Sequence, residues 1–335
     1  MAVTEKKPVV LVTAIGTAAA TTVVAELAKT DSYRVVGTDI FNPWEVVTAQ
    51  EVDDFRRVPP AVGDEERFLR HILELCRECG VNYYFATIDE EVANVSRHKE
   101  EFEDLGVRLC IPNREAVELC HDKSRFAQWC EERFSSMSIK RVKTLEEAAC
   151  ASYPLFLKPA FGRASIGCRP IGSFDELIVE VDDERLSQDL VLQEYVEGDV
   201  VTVDVVRSAK TGQFKAVPRL ETQRNGNGCG VAVELFYDEN LIDLCRSVAE
   251  GLGLDGVVNM EFFKTDDGYK MIEVNPRLSA GIAFSCLAGA DLVGDALRIA
   301  DGEPLKLDTV RFGTRFAKRY EAYELDWGYA NGQKS

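Results

Sequence analysis

Up to Pro112 the chain alternates short β-branched and aromatic runs with amphipathic stretches. Pro8–Ala14 (PVVLVTA), Arg34–Thr38 (RVVGT), Tyr83–Ala86 and Val107–Ile111 read as strands. Between them, Thr17–Lys29, Phe68–Cys79 and Asp89–Leu105 repeat their apolar positions at helical spacing. Strands separated by helices of this length predict a parallel sheet with right-handed crossovers. Beyond Pro112 the pattern changes. Glu115–Arg133 reads as helix, Leu155–Lys158 as strand, Phe174–Val181 as helix and Leu190–Glu194 as strand. Val200–Arg207 and Phe214–Glu221 read as paired antiparallel strands, and Asn240–Leu252 as a helix. A hairpin of Val257–Lys264 and Tyr269–Asn275 is the last strong element. The predicted class is α/β followed by α+β.

The turn after the first strand, AIGTAAATT, holds one glycine, Gly16. A dinucleotide turn needs three, for the tight turn, the phosphate approach and helix packing. Asp39 stands where a ribose acid would, and a dehydrogenase reading rests on it alone. The better expectation is a Rossmann-like domain over 1–112 that binds no nucleotide, followed by segments 113–193 and 194–335.

Composition narrows the function. Of 335 residues, 46% are hydrophobic and 29% charged, as in an ordinary globular protein. No apolar run reaches the ~18–20 residues that span a bilayer, and the start lacks a secretory pattern, so a cytoplasmic protein is expected. Lys and Arg total 39 against 57 Asp and Glu, a formal charge of −18. A field of that sign repels nucleic acid and anionic membranes, so neither is an expected partner. Ten cysteines are scattered, and Cys76 with Cys79 forms the sole CxxC, inside an amphipathic stretch with no second pair to complete a zinc set. Buried, reduced thiols are expected. Three histidines make a histidine metal site or a catalytic triad improbable.

The sharpest chemical signal lies in the last hairpin. A three-residue loop, Asp266–Gly268, with Gly268 at a left-handed position, pairs Thr265 with Tyr269 and so Glu261 with Glu273. A two-residue loop would shift that register and send the two acids to opposite faces. Facing carboxylates about 4.5–5.5 Å apart at Cβ repel unless a cation lies between them. Asn275 adds a neutral oxygen on the same face. Such oxygens suit Mg²⁺. An exposed, solvated acidic face is the competing reading of the pair alone; the following Pro276-Arg277, which places a guanidinium beside the acids, argues against it. A second signal is FLKPAFGRASIG, where Lys158 ends a strand and small residues follow that can offer backbone N–H groups to phosphate. A third, weaker one is QEYVEGD at Gln193–Asp199.

In this order and spacing, IEVNPR with the upstream NMEFF, KPAFGRASIG and QEYVEG resemble the ATP-grasp superfamily. The resemblance is closest to its carbamoyl-phosphate-synthetase-like and pyrrolysine-pathway-ligase-like branch and covers nearly the whole chain. It implies a Rossmann-like pre-ATP-grasp domain, then ATP-grasp domains that bind ATP with Mg²⁺, or Mn²⁺ in its place. By that resemblance Lys123 and Lys158 reach the nucleotide phosphates, and Arg163 to Gly167, with Ser165 among them, form a lid. Gln193, Glu194, Tyr195 and Val196 form the adenine hinge. Glu261, Glu273 and Asn275 match metal ligands. Arg277 matches the arginine that stabilises the transferring phosphoryl group. Arg219 and Arg224, on or after the strand that crosses the site, are candidates to hold an anionic substrate, and Ser279, Ala280 and Gly281 match the substrate-carboxylate loop. Where the family's hinge carries a ribose-binding acid this chain has Val200, with Asp199 as the candidate substitute.

The implied reaction is carboxylate–amine ligation: the acid attacks the γ-phosphate and an amine attacks the acyl phosphate, on amino-acid-like small molecules. Phosphorylation of carbamate or another small acceptor, and a nucleotide sensor without turnover, are the alternatives. A homodimer is a family-level expectation only.

Overall fold

The computed structural model describes residues 7–162 and 166–325. Three sheets organise them. The first joins β1 (Val9–Val12), β2 (Arg34–Asp39), β3 (Asp54–Arg57), β4 (Tyr83–Phe85) and β5 (Arg108–Leu109), in the order β3-β2-β1-β4-β5. Every pairing is parallel, as the alternating strand and helix pattern requires. β3 was not legible, because its DFRR sequence is a polar edge with no apolar alternation.

Two helical stretches are broken where one helix each was expected. Asp89–Leu105 becomes Asp89–Arg97 and Lys99–Glu103, meeting at His98. Glu115–Arg133 becomes Arg114–His121 and Lys123–Arg133. Between the latter two, Asp122 is extended, and its carboxylate accepts the amides of Ser124 and Arg125, an N-cap that restarts the helix. The break matters for function: it makes Lys123 the first residue of a helix, with its own amide held by the Ala160 carbonyl at 2.9 Å.

The second sheet is antiparallel, β6 (Arg141–Val142), β7 (Leu155–Pro159), β8 (Arg169–Ile171) and β9 (Leu190–Glu194), in the order β6-β9-β7-β8. The third and largest contains β10 (Asp199–Arg207), β11 (Phe214–Arg224), β12 (Gly230–Leu235), β13 (Gly256–Thr265), β14 (Gly268–Asn275) and β15 (Arg315–Ala317), ordered β14-β13-β10-β11-β12-β15. One face, with Val201, Val203, Val205, Met260 and Phe262, packs on the helices Lys123–Arg133 and Glu239–Gly251. Truncating the fully buried Phe262 to alanine costs about 3–5 kcal/mol. Part of the other face shares a core with the first sheet. Val206, Val217 and Val233 cluster with Val10, Val12 and Ile15 through the helices Ile282–Leu287 and Leu292–Asp301. Those two helices lie in an almost uniformly apolar stretch, IAFSCLAGADLV, which hides their period. Across the same boundary the Tyr83 hydroxyl donates to Asp301 at 2.9 Å, and Arg108 pairs with that carboxylate.

The β13–β14 hairpin corrects the expected loop. Thr265 pairs with Gly268, so the loop has two residues, Asp266 and Asp267. By itself that register would separate the two acids. Between Phe262↔Met271 and Glu261↔Glu273, however, β14 carries one extra residue, Ile272. This β-bulge restores the pairing. Met271 and Val274, three apart, both reach the apolar core, while Glu273 and Asn275 line the cavity face.

A candidate ATP-grasp active site

A cavity of about 760 Å³ opens between the second and third sheets and the start of the first helix. Its floor is the polar face of the large sheet, and strand pairing sets the floor out in rows. One row runs Glu273, Glu261, Thr202, Arg219 across β14, β13, β10 and β11; the next runs Asn275, Asn259, Asp204. Neighbouring strands lie about 4.8 Å apart, so Arg219 stands about 10 Å from Glu261.

At one end the Asn275 amide sits between the two acids, with Nδ2 3.2 Å from Glu261 Oε1 and 3.2 Å from Glu273 Oε1. Burial pushes the Glu261 carboxyl above its usual range; Glu273 adds to this, and Arg224 and Arg277 oppose it. Two carboxylates and an amide that can turn its oxygen inward form a hard-oxygen set that fits Mg²⁺ or Mn²⁺. Glu261, Glu273 and Asn275 are the residues that would hold it.

Cations surround this pair. Lys123 Nζ lies 3.8 Å from Glu273 and donates to the Gly162 carbonyl at 2.6 Å. Lys158 is buried in β7, and its ammonium reaches the carbonyl of the bulged Ile272 at 3.3 Å. Burial lowers its pKa and Lys123 adds to that, while Glu273 opposes both. The Arg277 Nε is 3.0 Å from Asp89, the first residue of a first-domain helix. Burial works against its charge, but Asp89, Glu261 and Glu273 more than offset that, and the guanidinium is held charged.

The remaining expectations divide. Gln193, Glu194, Tyr195 and Val196 line the cavity beside Phe156 and Phe263, a largely apolar wall suited to a planar base. Ser279, Ala280 and Gly281 line its far end. Arg219 is almost wholly buried there, its NH1 2.6 Å from Asp204 and its NH2 3.1 Å from the Ser279 hydroxyl. A Cβ on Gly281 would meet that guanidinium at 2.7 Å, so only glycine lets the loop lie on it. Arg224 Nε is 2.7 Å from Glu221, and its NH2 is 3.5 Å from Glu261. Asp199 does not line the cavity. Alternation along β10 puts it on the side of Val201 and Val203, whereas Val200 shares the face of Thr202. That placement argues against Asp199 as the substitute for the ribose acid. Arg163 and Ser165 lie outside the described residues.

Several lining residues went unread in the sequence. Thr17 and Ala18 bring the first helix's N-terminus to the wall, although the turn before them lacks phosphate-binding glycines. Asp39 is used structurally, accepting the amides of Gly16 at 2.8 Å and Phe41 at 3.2 Å, which removes the basis for a dehydrogenase. Asn259 and Glu221 were findable by period-2 counting from Glu261 and Arg219, whereas Thr202 is placed only by the pairing of β10 with both their strands. All ten cysteines are free. Five are buried, but Cys150 is exposed, and the half-buried Cys168 and Cys229 line the cavity. Among the described residues no group of three or more His, Cys, Asp and Glu side chains is placed to hold a metal ion. Among the same residues no helix is long and apolar enough to cross a membrane.

Fold and site together define an ATP-grasp architecture behind a Rossmann-like domain. Residues 10–110 match the PylC-like N-terminal domain family, and residues 186–321 match the family described as ATP-grasp in the biosynthetic pathway with Ter operon. The chain thus carries a PylC-like N-terminal domain and an ATP-grasp domain. It is 24% identical over 228 residues to the carbamoyl phosphate synthase large chain of Clostridium perfringens, covering 61% of this chain and 20% of that one. With the arginine-specific large chain of Bacillus subtilis it shares 21% over 286 residues, 79% of this chain and 26% of that one. The chain therefore spans only a fifth to a quarter of these relatives. Among solved structures, biotin carboxylase from Campylobacter jejuni superposes with a TM-score of 0.73 at 16% identity, covering 90% of this chain and 73% of that one. The biotin carboxylase domain dimer of the Hydrogenobacter thermophilus 2-oxoglutarate carboxylase, in complex with MgADP, ADP and bicarbonate, gives 0.71 at 20%, covering 91% and 73%. At these identities the likeness shows the fold.

Proposed function

We propose that this chain is an ATP-dependent carboxylate–amine ligase, forming an amide through an acyl phosphate on amino-acid-like small molecules and releasing ADP and phosphate. One observation carries the reading: Glu261 and Glu273 face each other with Asn275 between them, ringed by Lys123, Lys158 and Arg277 at the end of a nucleotide-sized cavity. A bound Mg²⁺ supplies charge neutralisation to the polyphosphate. The chain's own groups do the rest. Lys158 and Lys123 come from two different elements and converge on the Glu273 end of the cavity, which supports their role in holding the phosphates. Arg277, oriented by Asp89, faces the transferring phosphoryl group as its charge spreads over the equatorial oxygens. These donors are fixed before reaction, so little reorganisation is needed as charge moves. The acid approaches from the Ser279–Gly281 side, attacks the γ-phosphorus and displaces ADP. The amine then attacks the acyl carbon, phosphate leaves, and the amine's proton passes to solvent. No side-chain nucleophile is required.

The test is product analysis. The purified chain, Mg–ATP and a cell metabolite extract should yield a new amide by mass spectrometry, and ADP should appear only when acid and amine are both present. The likeness to carbamoyl phosphate synthases favours a second reading, phosphorylation of bicarbonate or carbamate; ADP release stimulated by bicarbonate alone would support it. Small molecules are the partners in either case.

A further inference from the structure

Among the described residues, seven buried side-chain polar atoms have no hydrogen-bond partner, and four of them belong to one patch of the cavity floor: Arg219 Nε, Asn259 Nδ2, Glu221 Oε2 and Asp204 Oδ1. Buried polar atoms are satisfied in the great majority of cases, so such a concentration points to a ligand that completes them. The four are of two kinds. Arg219 Nε and Asn259 Nδ2 are donors, fit for a carboxylate. Glu221 Oε2 and Asp204 Oδ1 are acceptors, fit for an ammonium.

Glu221 is the informative member. Its side chain is only 5% exposed, yet it lines the cavity. Oε1 accepts from the Thr202 hydroxyl at 2.9 Å. Oε2 lies 2.7 Å from Arg224 Nε but out of line for a hydrogen bond, so it keeps an unused acceptor. Gly230 makes room for it, since a Cβ there would stand 2.8 Å from the carboxylate. The arginines nearby are already neutralised, Arg219 by Asp204 and Arg224 by Glu221 and Glu261. A simple anion such as bicarbonate has one O–H to donate and would leave the second spare acceptor unmet, whereas an ammonium carries three donors.

We infer that Glu221 reads the ammonium group of the acid that is phosphorylated, so that the acid is a zwitterionic amino acid rather than a plain carboxylate. The inference rests on the ligase reading above and extends it. Glu221 sits one residue row and two strands from Glu261, and the Arg224 guanidinium reaches both carboxylates.

The experiment uses the full chain, Mg–ATP and hydroxylamine as a surrogate nucleophile, which converts any acyl phosphate to a hydroxamate without the natural amine, read as its coloured ferric complex. Three pools are compared: the common L-amino acids, their N-acetyl derivatives, and the matching acids lacking the amino group. Hydroxamate from the free amino acids, at least tenfold above both other pools, is the expected result. In the variant E221Q, the KM for the responding amino acid should rise at least tenfold, with kcat and the KM for ATP within about threefold. A merely structural role for Glu221 would not produce that split. Equal hydroxamate from the free and N-acetyl pools, or an unchanged amino-acid KM in E221Q, overturns the inference while leaving the ligase reading standing. No hydroxamate from any pool overturns the ligase reading and this inference with it. The pool comparison requires no variant, so it decides even if E221Q fails to fold.

Discussion

Replacing Glu273 by glutamine tests the core of the site, because function and stability should move in opposite directions. In the free protein the Glu261 and Glu273 carboxylates oppose each other across adjacent strands, and Glu261 is driven upward by burial and by that neighbour. Two such charges about 6 Å apart repel by about 3 kcal/mol at an effective dielectric of about 20. Losing the Lys123–Glu273 pair at 3.8 Å, together with the support Glu273 gives to the charges of buried Lys158 and Arg277, gives back about 1–2 kcal/mol. The Asn275 contact survives, since glutamine keeps one oxygen. The net expectation for E273Q is a free protein stabilised by about 1–2 kcal/mol, a rise of about 2–6 °C in melting temperature. Magnesium-dependent ADP release should fall by more than about a thousandfold, the scale expected when a charged group acting on the transition state is lost. Differential scanning fluorimetry without nucleotide measures the first, and coupled ADP assays the second. Added Mg–ATP should raise the melting temperature of the native chain and leave E273Q nearly unmoved. A lower melting temperature for E273Q, or activity within tenfold of the native chain, would refute the metal assignment.

Three further outcomes are expected. Asp89→Asn weakens the charged contact that orients Arg277; kcat should drop about tenfold with little change in the KM for ATP, and equal losses in both would assign Asp89 a different role. Asp199→Ala should leave the KM for ATP within about twofold, as for surface positions generally, and a tenfold rise would restore Asp199 to ribose binding. Burial raises the Glu91 carboxyl to about 7, helped by Asp39 and Glu90 and opposed by the Thr13 hydroxyl that donates to it. Its folded pKa lies above the unfolded one, so its contribution is complete at low pH and is lost as pH rises from about 4 to 7. That loss reaches at most about 3 kcal/mol. Glu91→Gln should therefore melt higher than the native chain at pH 8, with the gap closing toward pH 5; a gap constant with pH would contradict this.

Much of the molecule was legible before folding. The order of elements distinguished the parallel first sheet from the antiparallel β10–β11 and β13–β14 pairs, because strands separated by helices return by crossovers and hairpin strands do not; the antiparallel pairing of the second sheet was not read. Sixteen of the eighteen candidate site residues lie among those described, and all of these except Asp199 line one cavity. That follows from side-chain direction being set by strand parity, which a sequence carries directly. What sequence left open was whatever depends on a single inserted residue or on a partner from a distant segment. The paired acids were expected through the wrong loop, and only the Ile272 bulge reconciles a two-residue turn with Glu261 facing Glu273. Its trace, apolar Met271 and Val274 three apart, becomes readable once the core that receives both is known. The Asp89 carboxylate on Arg277 and the Thr17 helix end in the wall likewise depend on tertiary packing, and the Glu221–Arg224 pair, three residues apart, depends on the register shifts in β11. No local pattern encodes which of 57 acids meets which of 39 bases. Local chemistry determined the elements and the faces they present; the packing of three sheets around one cavity decided which groups meet, because only there are charges taken out of water and made to answer one another.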